Sequence, residues 1–179
     1  MEETGRSGFT LIELLLTVAL VALLAGLAVP AVSRFVDNGR LRGAAEQLAQ
    51  DLRQARNRAL TYQQDVYVSF AAASGGAWCY GWRDNRPCDC RPTAPTQNAC
   101  AADTPGATLQ RRLSTDFPQV ALRTARYNTA HTLRFAAVRG TADAGSLHLG
   151  NRAGEVRVII SPLGRVRACS VTGRMYSPC

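Results

Sequence analysis

Gly8-Phe9-Thr10-Leu11-Ile12-Glu13-Leu14 opens the stretch GFTLIELLLTVALVALLAGLAV, residues 8–29, and its reading decides the architecture. From Phe9 to Val29 the side chains are apolar almost without a break, and about 20 helical residues cross the hydrocarbon core of a bilayer. The stretch therefore predicts a membrane-spanning helix. A cleaved secretory signal has a shorter apolar run, a small-residue cleavage site behind it and no carboxylate within it, and none of these fits. Glu13 is the exception that carries information. An ionised side chain in a membrane segment costs on the order of 2.5–3.5 kcal/mol, so this carboxylate is a functional candidate that needs a cationic partner.

Outward from this stretch, helical signals return after Pro30. Apolar positions at Leu41, Ala44, Ala45, Leu48, Leu52, Ala55, Ala59 and Leu60 recur at three- and four-residue spacing, the mark of one amphipathic face. Glu46, Gln47, Gln50, Asp51, Arg53, Gln54 and Arg56 are expected mostly on the opposite, solvated face. Pro30 lacks an amide hydrogen, and Gly39 and Gly43 weaken a helix, which predicts kinking or local melting between Pro30 and Gly43. Beyond residue 63 the pattern alternates. Asp65–Phe70 reads as a strand with Trp78–Trp82 as its hairpin partner, and Val120–Ala125, Thr132–Ala137, Ser146–Leu149 and Glu155–Ile160 are further short strands. Between Arg83 and Gly106 the composition shifts to a period-free loop. A chain of 179 residues holds one domain of ordinary core. The expected fold class is α+β, a long helix packed on an antiparallel sheet. Residues 9–29 form the membrane segment, 30–63 its amphipathic continuation and 64–179 the β-rich head.

All six cysteines, Cys79, Cys88, Cys90, Cys100, Cys169 and Cys179, follow the apolar segment, as in a domain exported to an oxidising compartment. Their spacing lacks the two close pairs of a zinc site, and disulfides are favoured. Cys88 and Cys90 stand too close to bridge each other without strain, so each is expected to reach Cys79 or Cys100, stapling the loop, while Cys169 and Cys179 close a short one.

The net charge of +8 lies in the C-terminal part: residues 105–179 carry eleven arginines against Asp116, Asp143 and Glu155. Such one-sided basicity suits a polyanion or an anionic surface, though an evenly solvated face has the same composition. The informative stretch is Val156–Cys169, VRVIISPLGRVRAC. A two-residue turn would force Arg165 and Arg167 onto the apolar face, which is costly. A three-residue loop, Pro162-Leu163-Gly164, supplies proline for a type I turn and glycine for the left-handed bulge. Val156, Val158, Ile160, Val166 and Ala168 then share the core face, and Arg157, Arg165 and Arg167 form an outward patch suited to an anion such as phosphate. The same arginines also suit protection of a sheet edge against aggregation. Signatures of catalysis are missing: His131 and His148 are the two histidines, and no nucleophile elbow or phosphate loop occurs. No enzyme, metal site or cofactor is expected.

The Gly8–Leu14 string resembles the processing site of type IV prepilins and type II secretion pseudopilins. That resemblance implies a leader, residues 1–8, removed after Gly8 by a prepilin peptidase that methylates Phe9. It also implies that Glu13 of one subunit pairs with the new Phe9 amine in a fibre of pilins and minor pilins, and that the chain sits single-pass in the inner membrane before assembly, head in the periplasm. Gly164-Arg165-Val166-Arg167 resembles the GRxR motif near the C-terminus of the FimT minor pilins, a branch of the GspH/FimT group implicated in DNA uptake during natural transformation. This implies contacts from Arg165 and Arg167, on the loop set by Gly164 and with Arg157 beside them, to double-stranded DNA. Without stacking aromatics the contacts would be to phosphates, independent of sequence and weakened by salt. Arg53 and Arg56, in the charge-balanced half, are expected to matter much less. The competing reading is a GspH-like pseudopilin that primes or caps a fibre and touches only protein.

Overall fold

The computed structural model describes residues 10–73, 76–95, 97–102, 108–126, 131–173 and 175–179. The chain divides into two units, Met1–Val36 and Asp37–Cys179. Helix α1, Leu11–Tyr62, supplies the described part of the first unit and the opening element of the second.

In the first unit every side chain described between Thr10 and Val36 is exposed, the apolar ones included. The helix is long and apolar enough to cross a membrane. Thr10 starts it: its Oγ1 accepts a hydrogen bond from the Glu13 amide at 3.3 Å, satisfying one of the amides a helix start leaves open. The melting expected between Pro30 and Gly43 does not occur, because helical backbone continues through Pro30, Gly39 and Gly43. A proline removes one amide hydrogen bond, and the runs of helix formers on both sides carry the helix across that gap.

In the second unit α1 lays down the stripe Leu41, Ala44, Ala45, Leu48, Ala49, Leu52, Ala55 and Ala59, all buried. Leu60 is partly buried. Where the sequence reading has one sheet, the strands divide between two antiparallel ones. The first has the order β3-β2-β1-β5, from β1 (Val66–Ala72), β2 (Trp78–Asp84), β3 (Arg111–Leu113) and β5 (Thr132–Phe135). The second has the order β4-β6-β7-β8, from β4 (Ala121–Arg126), β6 (Gly145–Asn151), β7 (Gly154–Ile160) and β8 (Val166–Thr172). Alternate residues of both sheets, among them Val66, Val68, Leu133, Phe135, Leu147, Leu149, Val156 and Val158, join the helix stripe in one core. The Trp78 indole N–H donates to the Val120 carbonyl at 2.9 Å, tying the two sheets at a buried point. Strand β3 escaped the sequence reading because three residues, two of them arginine, show no alternation.

A second small core is covalent. Cys79 pairs with Cys90 and Cys88 with Cys100, and Cys79, Cys90 and Cys100 bury one another beside Leu113. Cys169 pairs with Cys179, so no thiolate remains for a metal. This staple also explains Gly81, where a Cβ would stand 2.7 Å from Cys100.

One residue of the helix departs from expectation. Asp51, assigned to the solvated face, is 4% exposed. Its carboxylate accepts from the Tyr80 hydroxyl at 2.8 Å, the Gln47 side-chain amide at 2.9 Å and Arg112 Nε at 3.4 Å. Burial of a charge is tolerated because three donors replace its water.

Candidate nucleic-acid interface

Strands β7 and β8 form a hairpin whose loop is Pro162-Leu163-Gly164. Ser161 and Arg165 close it, the Ser161 amide donating to the Arg165 carbonyl at 3.0 Å, and the Gly164 amide donates to the Ser161 carbonyl at 2.8 Å. Gly164 has φ +72°, in the left-handed region. Ile160 then faces Val166, Ile159 faces Arg167 and Val158 faces Ala168. With side chains alternating, this register buries Val156, Val158, Ile160 and Val166 and leaves Arg165 and Arg167 exposed on the other face.

Glycine at 164 answers two demands. Its backbone conformation disfavours any Cβ, and a Cβ there would lie 2.2 Å from the Gly140 carbonyl oxygen and 2.6 Å from Arg56 Nε. Arg56 is half-buried beneath the turn, donating from Nε to Gly140 O at 3.0 Å. The Ala142 amide donates to Pro162 O at 3.0 Å. The tip of the hairpin is thus held by the helix and by the β5–β6 connection.

Arg157 shares the outward face but is committed elsewhere. Its Nε donates to His148 Nε2 at 2.9 Å on the neighbouring strand β6, and His148 Nδ1 meets Glu155 Oε1 at 2.5 Å. An acceptor at Nε2 places the imidazole proton on Nδ1, directed at Glu155. Of the expected patch of three arginines, Arg165 and Arg167 stand free of such partners among the described residues, while Arg157 joins a chain with His148 and Glu155.

In its place the helix contributes. An open cleft of ≈ 890 Å³ is lined by Arg53, Arg56 and Asn57 from α1 and by Ile159, Ser161, Leu163, Gly164, Arg165, Val166 and Arg167 from the hairpin. Four of these ten are arginines and none is a carboxylate, and none of the four arginines has an ion pair among the described residues. Arg53 and Arg56, expected to matter much less, line the same cleft as Arg165 and Arg167. Arg53 Nη2 donates to the Val166 carbonyl at 3.3 Å, on edge strand β8. A second groove, ≈ 550 Å³, shares Arg53, Val166 and Arg167 and adds Glu46, Ala49, Gln50, Ala168 and Tyr176. Glu46 is matched by Arg42 at 2.7 Å; hydrogen bonding to Arg42 leads the causes that hold its carboxyl below the ordinary range. No aromatic side chain is among the described residues lining the cleft; the Tyr176 ring lines the second groove. Arg53 and Arg56 were visible as a helical i, i+3 pair, but nothing local placed that pair opposite residues more than a hundred positions away.

Gly8 and Phe9 lie outside the described residues, while Glu13 occupies the first turn of α1. Residues 4–29 match the prokaryotic N-terminal methylation motif, and residues 44–164 match the model of the type II transport protein GspH. A methylation motif on a membrane-length helix, followed by helix and antiparallel sheets, defines a type IV pilin-like protein. The chain belongs to the GspH family, a group of pilin- and pseudopilin-like proteins. Among solved structures it is similar to the type IV minor pilin FimU of Pseudomonas aeruginosa, at 20% identity over 74% of this chain and 90% of that one, with a TM-score of 0.45. It is also similar to the minor pseudopilin EpsH from the type 2 secretion system of Vibrio cholerae, at 14% identity over 73% of this chain and 97% of that one, with a TM-score of 0.48. No curated protein matches the chain significantly.

Proposed function

We propose that this chain is a minor pilin that holds double-stranded DNA by its phosphate backbone through Arg165 and Arg167, during DNA uptake in natural transformation. In this reading a prepilin peptidase cuts after Gly8 and methylates Phe9. The protein waits single-pass in the inner membrane with its head in the periplasm, then joins a pilus in which Glu13 neutralises a neighbour's Phe9 amine. The observation that supports DNA as the ligand is the hairpin: two exposed arginines, without carboxylate partners among the described residues, on a turn that Gly164 and Gly140 hold in one geometry. A guanidinium fork in such a place matches a phosphate, and like charges side by side favour a bound polyanion.

The test is duplex binding by the full chain in an uncharged detergent, which keeps the apolar helix solvated without attracting DNA. Arg165→Ala with Arg167→Ala leaves the core face untouched, so folding should persist. The slope of log affinity against log salt should fall by about 2, with all sequences weakened alike. Arg152→Ala, exposed at the β6–β7 turn and so at the far end of β7, is the control. Absence of duplex binding at low salt would sink the proposal. The second reading, a structural pseudopilin that primes or caps a secretion fibre, would then lead, and the description of the matched family as a type II transport protein favours it.

A further inference from the structure

The hairpin arginines account for one wall of the cleft and leave the other unexplained. Arg53 stands on that other wall, exposed, at the point where the ≈ 890 Å³ cleft and the ≈ 550 Å³ groove meet. Its single described anchor is the Val166 carbonyl at 3.3 Å. That bond uses one of five guanidinium N–H donors and turns the head towards the segment carrying Arg165 and Arg167, leaving the rest of the fork for another acceptor. Arg56 plays a different part, since its Nε is consumed by Gly140 O and it lies half-buried under the turn.

Arg53, Arg165 and Arg167 thus face one space from two elements, with no carboxylate lining the cleft. Folding brings this positive charge together without neutralising any of it, so the arrangement costs stability unless an anion enters. A single phosphate would occupy one fork. A run of phosphates can meet both walls, and the adjoining groove, bounded by Gln50, the Tyr176 ring and Glu46 with its charge matched by Arg42, continues beyond Arg167.

We propose that Arg53 is a direct phosphate-binding residue, forming with Arg165 and Arg167 a two-walled cleft in which one strand of a nucleic-acid backbone lies between α1 and the β7–β8 hairpin. This rests on the DNA-binding reading above and extends the site from the hairpin onto the helix.

The test compares Arg53→Gln and Arg53→Lys with the parent and with the Arg165→Ala, Arg167→Ala double variant, all as full chains in uncharged detergent on one duplex. Arg53→Gln should lower the salt slope by about 0.9, shrinking the loss of affinity from about 50 to about 200 mM salt by roughly 3.5-fold. Arg53→Lys should restore the slope, because lysine keeps the charge while losing the planar fork. Thermal melting separates this from loss of the Val166 bond. A lowered midpoint in Arg53→Gln with an unchanged slope makes Arg53 structural and overturns the inference. If the double variant loses slope while Arg53→Gln matches the parent, the hairpin reading stands and the two-walled cleft is wrong. If the parent binds no duplex at low salt, the DNA reading fails, and this inference with it.

Discussion

At the scale of the residue, position 164 decides the most with the least. A turn one residue shorter would have sent both arginines into the core, so the left-handed glycine is what aims the basic face outward. Gly164→Ala must adopt φ +72° with a Cβ pressed on the Gly140 carbonyl. Non-glycine residues in that region cost about 1–3 kcal/mol, and here backbone rather than a movable side chain blocks the way, so the upper part of that range is expected. Calorimetry or denaturant melting should show the loss, and duplex affinity should fall with it. Gly43→Ala supplies the opposite sign. A Cβ there meets nothing within 4 Å on an exposed, helical position, so stability should rise by about 0.5–1 kcal/mol. Equal effects from the two alanines would show that the close approach at Gly164 is not real.

At the scale of the element, helix α1 is apolar on the stripe that meets both sheets, yet the same face carries Asp51, gripped by Tyr80 from β2 and Arg112 from β3. Tyr80→Phe removes the closest donor from a buried carboxylate and should cost about 1–3 kcal/mol. The pH dependence has a definite sign. Burial first, then the charge of Asp51, raise the Tyr80 pKa above its ordinary value. Its contribution is thus complete below about pH 10, the unfolded tyrosine value, and is lost as pH rises towards the elevated folded value. Melting of parent and variant against pH should show a constant gap up to about pH 10 that narrows beyond it; a gap already closing in the neutral range would contradict the network. Asp51 also shows where the sequence stopped being legible. Leu41, Leu48 and Leu52 announce their face by spacing alone, as do Val156, Val158 and Ile160, because burial of alternating or helical positions is a local pattern. Asp51 obeys no such pattern, since its donors come from strands far along the chain. The cleft divides the same way. Arg165, Arg167 and their turn could be read from nine consecutive residues, whereas Arg53 came to line the same cleft only when β8 was laid against the helix, and Arg157 met His148 only when β6 was brought alongside.

At the scale of the whole molecule, the two units divide the labour by what they bury. Every residue of the main core lies at or after Leu41, so Asp37–Cys179 is self-sufficient, while the described side chains from Thr10 to Val36 bury nothing within the chain. An apolar surface of that kind requires lipid or other copies of the same helix. In the proposed reading, Glu13 distinguishes the two environments. Its amide already caps the helix through Thr10, and that bond does not involve the carboxylate. The charge itself gains about 0.3–1 kcal/mol from the helix dipole, far less than the several kcal/mol of a carboxylate left unpaired in an apolar bundle. Glu13→Ala should therefore leave insertion, helix formation and cleavage intact and fail at assembly, where the Phe9 amine of a neighbour would remain unmatched. Gly8→Ala acts a step earlier, and should block cleavage and leave the leader on. Mass spectrometry of fibres and of the membrane fraction distinguishes the two: the parent should yield N-methyl-Phe9 in fibres, Glu13→Ala the same processed chain confined to the membrane, and Gly8→Ala an intact leader. An intact leader in assembled parent fibres would overturn the processing site, and fibres of Glu13→Ala as abundant as the parent's would show that charge pairing does not drive assembly.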